Sequence, residues 1–345
     1  MRTGIVKDRR FANHEMGPFH VESPRRIEVL NRMVEDEILF PYLPIEPRPA
    51  IEEEIVRVHS SAYFKFLRGT SGNAPVTLDP DTSTSPGTFE TALLAAGGGL
   101  KAVELIMEGR IRNAFVLVRP PGHHAEAGRA MGFCFFNNIA IAAEHLIQKF
   151  GCRRVLIVDW DIHHGNGTQS AFYDRNDVLY FSFHQTPLFP GTGAAGETGR
   201  GKGTGFTMNF PLAPGKGDEE FLWIFQKVLL PVADQFKPEF ILVSAGFDIA
   251  ADDPLGGMKA SREGFGGLTA ALLAAAGTSA QERLALFLEG GYDLPSLKAG
   301  MKEVLQRLAG EIRTPVSPAS ITEAFEREID PIIQVVRKSW SLKRL

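Results

Sequence analysis

The sequence predicts an α/β protein built on a mostly parallel β-sheet with helices on both faces. Short apolar runs typical of strands alternate along the chain with longer segments of helical periodicity, which is the order of βαβ units. The apolar runs contain no regular alternation with polar residues, as expected for strands covered on both faces. Since no repeat or linker-like stretch divides the chain, we expect one domain over 1–345, with a helix and tail over about 312–345.

Individual elements follow from composition and periodicity. The predicted strands are Ala114–Val118, Arg154–Val158, Val178–Phe183, Glu239–Ser244 and Leu284–Leu288. The predicted helices are 24–38, 88–108, 137–150, 218–236, 261–276 and 296–308. Ser23 before Pro24 is typical of a helix start, and Gly109 and Gly151 are typical of helix ends. The glycine-rich segment 191–205 predicts a surface loop near the functional site.

Composition excludes several classes of protein. Hydrophobic residues make up 44% and charged residues 23% of the chain, which is typical of a folded globule and excludes a disordered or collagen-like protein. The net charge of −4 argues against a nucleic-acid-binding surface. No apolar run approaches the roughly 18 residues of a membrane span, and the start of the chain lacks a signal-peptide core. With only two cysteines, we expect a cytoplasmic protein without a disulfide framework.

Two predicted strands run directly into acidic side chains. After Arg154–Val158 the chain reads DWDIHHGNG, and in extended backbone Asp159, Asp161 and His163 project to one side. Another strand leads to Asp248 in SAGFD. Because the carboxyl ends of strands form the ligand site of open α/β sheets, Asp161, His163 and Asp248 are candidate ligands of one divalent ion, with the open coordination of a catalytic zinc. Capping or turn roles explain any one of these aspartates but not the whole pattern.

A second set of polar residues follows two further strands. His123 and His124 lie on a Pro-Gly turn, where each imidazole needs hydrogen-bond partners. Asp159 and Asn166 are the candidate partners, and an oriented imidazole can serve as a general base. Tyr292 follows Glu-Gly-Gly at the end of another strand and can donate its O–H to an oxyanion, although such a tyrosine is ordinarily a packed turn residue.

These residues lie in motifs that resemble the histone deacetylase superfamily of zinc amidohydrolases. The motifs occur in the family's order and spacing over nearly the whole chain: RPPGHHA, GFCFFNN, VDWDIHHGNGTQ, FPGTG, SAGFD followed by DPLGG, and EGGYDL. Trp160, the asparagine of HHGNG, and DPLGG resemble the class II branch, and class IIb in particular. The resemblance implies an arginase-like fold, with a single open sheet of eight mostly parallel strands and helices on both faces.

The resemblance also implies a role for each catalytic residue. His124 is the favoured general base and then the acid, and His123 is its electrostatic partner. Asp159 orients His123, while Asn166 stands where the partner of His124 belongs. Tyr292 polarises the amide carbonyl. The zinc ligands implied by the resemblance are Asp161, His163 and Asp248.

A narrow substrate channel and a second cation are implied in the same way. The channel residues are Phe133, Phe189, Leu255, Asp81, Gly132 and Gly290. The two phenylalanines match aromatic walls that grip an aliphatic side chain, and Leu255 and Asp81 fall at the rim. Below the zinc site the resemblance implies a bound potassium ion. Its ligands are Asp159, Ser182 and the backbone carbonyls of Asp161, His163 and Phe183.

We therefore expect a zinc-dependent deacetylase that hydrolyses the acetamide of N6-acetyl-lysine in proteins or peptides and releases acetate. Acetylpolyamines and longer acyl-lysines are alternative substrates, and a non-catalytic acyl-ligand binding protein is an alternative of another class. An arginase-like ureohydrolase needs two metals, and Asp252 and Asp253 follow Asp248 closely enough to keep that alternative open. The sequence also leaves open whether zinc or ferrous iron is bound and whether the chain forms homo-oligomers.

Overall fold

A computed structural model describes residues 2–313 and 319–343 of the chain. Its strands are β1 Arg2–Val6, β2 Tyr42–Ile45, β3 Thr77–Asp79, β4 Thr82–Ser83, β5 Ile111–Val116, β6 Val155–Asp159, β7 Val178–Gln185, β8 Thr207–Leu212, β9 Phe240–Ala245 and β10 Leu284–Leu288. Eight of them form one sheet in the order β2-β1-β5-β10-β9-β6-β7-β8, with every neighbouring pair parallel. β3 and β4 form a small antiparallel hairpin.

Helices connect these strands. They are α1 Pro24–Glu37, α2 Glu52–Ile55, α3 Ser61–Arg68, α4 Thr88–Met107, α5 Asn138–Phe150, α6 Asn166–Phe172, α7 Asp218–Ile224, α8 Leu230–Phe236, α9 Arg262–Ser279, α10 Leu294–Ala309 and α11 Glu323–Val336. A π-helical turn at Phe225–Leu229 joins α7 to α8, so the segment predicted as one helix is continuous. None of the described helices is long and apolar enough to cross a membrane.

The predicted fold class is confirmed, and all five predicted strands are present as β5, β6, β7, β9 and β10. These five are neighbours in the sheet. The prediction missed β1, β2 and β8 of this sheet, together with the hairpin strands β3 and β4. Of these, β2 and β8 are the two edge strands, and each contains a proline, Pro44 and Pro211. Proline is tolerated at a sheet edge, where it obscures the strand pattern in the sequence.

The carboxyl ends of the five neighbouring strands meet at one edge of the sheet. Asp159 at the end of β6 pairs in register with Ser244 of β9 on one side and with Ser182 of β7 on the other. All residues of β6, β9 and β10 are buried, because helices cover both faces. The polar groups that follow these strands are therefore held by a rigid, apolar base.

The C-terminal segment packs against this body. α11 buries an apolar stripe of Phe325, Ile329 and Ile333, and beyond the helix the indole N–H of Trp340 donates to the carbonyl of Gly205 at 2.7 Å. This bond fastens the end of the glycine-rich loop. Parts of the predicted C-terminal region, 314–318 and 344–345, lie outside the described residues.

Candidate active site and metal centre

Asp161, His163 and Asp248 converge at the edge where β6 and β9 end. One ligand atom from each lies within 4.8 Å of the others, and all three residues are buried. His163 Nδ1 lies 3.0 Å from Asp161 Oδ1 and 3.2 Å from Asp248 Oδ2. The structure thus brings together the three side chains that the sequence pattern predicts as metal ligands.

Backbone amides fix the outer oxygens of the two carboxylates. The N–H of Gly290 donates to Asp161 Oδ2 at 2.8 Å, and the N–H of Ile162 donates to Asp248 Oδ1 at 3.0 Å. Asp248 Oδ2 is buried and makes no well-aligned hydrogen bond among the described residues, although His163 Nδ1 lies 3.2 Å away. A buried carboxylate oxygen without an aligned donor is costly unless a cation faces it, so this atom fits the ligand set of a metal ion.

Two glycines make room for the carboxylates. A Cβ on Gly246 would lie 2.2 Å from Asp161 Oδ2, and a Cβ on Gly290 would lie 2.1 Å from Asp248 Oδ2. Any other residue at these positions would displace a carboxylate. The motifs SAGFD and EGGYDL therefore carry glycine because the backbone passes directly against the carboxylates of Asp161 and Asp248.

The pKa shifts of His163 and Asp248 also indicate that the cluster favours a bound positive charge. Burial by itself lowers the pKa of His163, but its contacts with Asp161 and Asp248 outweigh burial and raise that pKa to about 10. Burial, together with the charge of Asp161, raises the pKa of Asp248 to about 7. Two carboxylates held this close bind a proton or a cation between them. An Asp, His, Asp set of O, N and O donors suits a divalent ion such as zinc.

The tandem histidines lie beside this cluster, with ring centroids 4.0 Å apart. His123 Nδ1 donates to Asp159 Oδ2 at 3.1 Å. His124 Nδ1 donates to Asn166 Oδ1 at 2.8 Å, and the Asn166 amide group donates in turn to Glu126 Oε1 at 2.8 Å. This series of hydrogen bonds fixes the orientation of the Asn166 amide group. The proton of neutral His124 therefore sits on Nδ1, and Nε2 is free to accept a proton.

The two histidines have opposite pKa shifts. Burial, with the neighbouring charges of His123 and His163, holds the pKa of His124 well below its ordinary value. Burial also acts against the charged form of His123, but Asp159 and Asp161 outweigh it and raise that pKa to about 10. The two shifts have opposite directions and favour the protonated form of His123 and the neutral form of His124.

A cavity of about 430 Å³ leads from the surface to these groups. It is lined by all six predicted channel residues: Phe133, Phe189, Leu255, Asp81, Gly132 and Gly290. The ring of Phe189 stands edge-on to His124 with centroids 5.0 Å apart, and the ring of Phe133 lies 6.0 Å from that of Tyr292. Gly132 adopts φ +55°, and a Cβ there would lie 2.4 Å from the His124 ring. The cavity is thus a narrow, aromatic channel that ends at the metal cluster.

The segment before α1 forms part of the rim, which the sequence did not predict. Phe19, His20 and Val21 line the cavity, and Phe19 is 97% exposed. His20 Nε2 donates to the carbonyl of Asp81 at 3.1 Å and its ring packs against Phe133. No periodicity marks this segment, because its residues act through a loop.

Tyr292 stands under a buried ion network that the sequence analysis missed. The guanidinium of Arg26 lies 5.0 Å above the Tyr292 ring and donates to the carbonyls of Glu289 and Gly291 at 2.5 and 2.7 Å. Glu22 accepts from Arg26 at 3.0 Å and from Arg119 at 2.5 and 2.8 Å. Burial alone would raise the pKa of Glu22, but the charge of Arg119, with that of Arg26, lowers it to about 2.

Two of the residues predicted to hold potassium, Asp159 and Ser182, are neighbours in the sheet. They are register partners on β6 and β7. Asp159 Oδ2 accepts from the Tyr180 hydroxyl at 3.1 Å, and Ser182 Oγ lies 3.0 Å from His184 Nδ1. The ring of Phe183 stacks on that of Phe221 in the core.

The second metal of the arginase-like alternative lacks a ligand set. Asp161, His163 and Asp248 form the one group of three close metal-binding side chains found over 2–313 and 319–343. Asp252 is exposed, and both oxygens of Asp253 accept backbone N–H groups instead. The described residues therefore support one metal site and not two.

The fold and this site define an α/β protein with a parallel sheet, in which a candidate metal site lies at the inner end of an aromatic cavity. The histone deacetylase domain family matches residues 20–308. The "Probable deacetylase" of Archaeoglobus fulgidus is 39% identical over 297 residues, which cover 85% of this chain and 82% of that relative. "Polyamine deacetylase HDAC10" of Homo sapiens is 41% identical over 310 residues, which cover 86% of this chain but 46% of that relative.

A solved structure agrees over the whole fold. "Crystal Structure of HDA15 HD domain" superposes with a TM-score of 0.91 at 36% identity, covering 99% of this chain and 97% of that one. The chain belongs to the histone deacetylase family. It is accordingly a hydrolase of amides, of the deacetylase type.

The buried ion network yields a stability prediction. Glu22→Gln removes the charge between Arg26 and Arg119, and breaking such a buried pair costs about 3 kcal/mol of unfolding free energy at pH 7. Because the folded pKa of Glu22 is lowered from 4.5 to about 2, the stabilisation is complete above pH 4.5 and is lost as the pH falls towards 2. Chemical denaturation from pH 7 down to about pH 2.5 should show a constant gap in unfolding free energy between wild type and variant above pH 4.5 and a narrowing gap below it.

The exposed Glu28 of α1, the helix that carries Arg26, provides the control. Glu28→Gln should change the unfolding free energy by less than about 0.5 kcal/mol. Equal small effects of the two substitutions at pH 7 would contradict the role of Glu22.

Proposed function

We propose that this chain is a zinc-dependent deacetylase that hydrolyses the acetamide of acetylated lysine side chains in proteins or peptides. The observation that carries the proposal is the channel itself, an aromatic cavity of about 430 Å³ lined at once by His124, His163 and Tyr292. A narrow apolar channel suits the methylene chain of lysine, and its floor places an amide among acid, base and cation-binding groups.

Asp161, His163 and Asp248 would hold the zinc ion, and the lack of an aligned hydrogen bond at the buried Asp248 Oδ2 supports that fit. A divalent ion bound there supplies Lewis acidity to the amide carbonyl and to water. Ferrous iron accepts the same O and N donors, so the ligand set alone allows either metal. We further propose that potassium binds at Asp159 and Ser182, as the family resemblance implies.

The residues of this chain carry the proton transfers. His124 Nε2, kept free by the bond from Nδ1 to Asn166, takes a proton from the attacking water. The proton then passes from His124 to the leaving amine as the tetrahedral intermediate collapses. Protonated His123, held by Asp159, provides positive charge beside the developing oxyanion.

Tyr292 completes the set from the opposite wall of the channel. Burial raises the pKa of its phenol well above the ordinary value, so the O–H stays protonated and can donate to the oxyanion. The presence of this tyrosine beside the histidine pair argues against a non-catalytic acyl-binding protein. The chain would act as one catalytic unit, and its two free, buried cysteines are consistent with a cytoplasmic protein.

Acetylpolyamines are the second candidate substrate, since one relative is named a polyamine deacetylase. Leu255 argues against them. Leu255 lines the rim of the channel. The family resemblance implies that polyamine deacetylases of the class IIb branch carry a glutamate at this position, where its charge holds the distant ammonium group of the acetylpolyamine. Asp81 lies on the same rim, and its acidic side chain is the feature that favours an acetylpolyamine substrate.

Metal binding gives the first test of this function. Asp248→Ala removes one of the three proposed ligands, so the variant should lose bound zinc and activity but stay folded, because the sheet does not depend on one site. Elemental analysis and circular dichroism measure the two effects. Asp252→Ala, at an exposed neighbouring position, should keep its metal. Full zinc content and activity in Asp248→Ala would rule out this ligand assignment.

The role of the phenol is tested by Tyr292→Phe. Loss of one oxyanion donor should lower kcat by roughly 10²- to 10³-fold, with zinc content and KM nearly unchanged. Steady-state kinetics on an acetyl-lysine peptide measure both parameters. A kcat equal to that of the wild type would show that Tyr292 only packs in the turn.

Substrate class is tested at Leu255. The wild type should prefer acetyl-lysine peptides to acetylspermidine, and Leu255→Glu should raise kcat/KM for acetylspermidine by about tenfold to a hundredfold, since a charge-assisted contact is worth roughly 1.5–3 kcal/mol. Leu255→Gln, which adds size without charge, is the matched control and should give little gain. A wild-type preference for acetylspermidine would overturn the assignment of acetyl-lysine.

A further inference from the structure

Asp253 connects the rim of the channel to the loop that carries Tyr292. It lies in DPLGG, five residues beyond the proposed ligand Asp248, and is 6% exposed. Its Oδ1 accepts the backbone N–H of Leu255 at 3.0 Å. Its Oδ2 accepts the backbone N–H of Tyr292 at 2.6 Å and that of Asp293 at 3.2 Å. One side chain therefore holds the backbone of a rim residue and the backbone of the proposed oxyanion donor.

Only a carboxylate satisfies this arrangement. Each oxygen of Asp253 faces at least one N–H donor, so an amide side chain would turn its own NH₂ group against either Leu255 or Tyr292. A buried donor left without an acceptor is costly, and the loop would shift to relieve the conflict. The geometry therefore requires a carboxylate at position 253. None of its three hydrogen bonds is to a proposed metal ligand.

The contacts also fix the direction in which Tyr292 enters the channel. Asp293, the next residue, caps α10 by accepting the N–H of Ser296 at 2.9 Å. On the other side, the carbonyl of Gly291 accepts from Arg26 at 2.7 Å. Asp253 binds the two amides between these anchors. Without Asp253, the hydrogen bonds of the Gly291 carbonyl and the Asp293 side chain remain, but the backbone N–H of Tyr292 has no acceptor.

We propose that Asp253 is a positioning residue that holds the Tyr292 phenol in its catalytic place and couples it to the rim at Leu255. The inference rests on the proposed role of Tyr292 as oxyanion donor. A donor displaced by about 1 Å loses much of its stabilisation of the transition state, because that stabilisation depends on preorganised geometry. The substrate's ground-state contacts with Phe133 and Phe189 do not pass through Asp253.

The test is a double-mutant cycle on the full chain with its metal bound. Asp253→Asn should lower kcat on an acetyl-lysine peptide by about tenfold, with KM and zinc content within twofold of the wild type. In a Tyr292→Phe background the same substitution should change kcat by less than about twofold, since the phenol that it positions is gone. The exposed neighbour Asp252→Asn carries the same change in charge and should match the wild type.

A second variant separates the effect of the carboxylate's position from the effect of its charge. It also provides a test if Asp253→Asn does not fold. Asp253→Glu keeps the charge but moves the carboxylate by one methylene, so it should also lower kcat. Full activity in Asp253→Glu, or an equal loss of kcat with and without the phenol, would overturn the positioning role while leaving that of Tyr292 intact. If Tyr292→Phe alone is fully active, the proposed function of the tyrosine fails, and the role of Asp253 fails with it.

Discussion

Two buried carboxylates at the ends of neighbouring parallel strands dominate this structure. Asp161 follows β6 and Asp248 follows β9, and the parallel sheet brings both strand ends to the same edge. Like charges so close in a dry site are stable only around a cation, here supplied in part by His163. The glycines of the surrounding motifs follow from this constraint, since a side chain at Gly246 or Gly290 would occupy the space of the carboxylates.

The buried charges around the cluster are likewise paired with charges of opposite sign. Asp159 is balanced by His123, and Glu22 lies between Arg26 and Arg119 with no exposed surface. The pairs His123–Asp159 and Glu22–Arg119 join segments that are 36 and 97 residues apart in the chain, so they hold the loops above the sheet edge in one arrangement. Precise loop positions matter for chemistry that depends on preorganised donors, and a rigid parallel sheet beneath them provides the reference frame.

The sequence predicted the centre of the molecule well and its periphery poorly. The buried strands β6 and β9 were evident because a fully covered strand is a short apolar run, and their ends carry the acids that the pattern singled out. Edge strands such as β8 were missed because a proline within the strand obscures the strand pattern. The network of Glu22 and Arg119 was invisible, since the partners lie 97 residues apart and neither belongs to a local periodicity.

The family resemblance supplied roles that residue patterns alone do not give, above all for the channel. Phe133 and Phe189 could equally be core residues by sequence, and only the cavity shows them facing one space. The account as a whole depends on the cation at its centre. The most direct measurement is acetate release from an acetyl-lysine peptide by chelated protein titrated with zinc. The account predicts that release is lost on chelation and restored at one equivalent per chain, whereas full release by metal-free protein would contradict it.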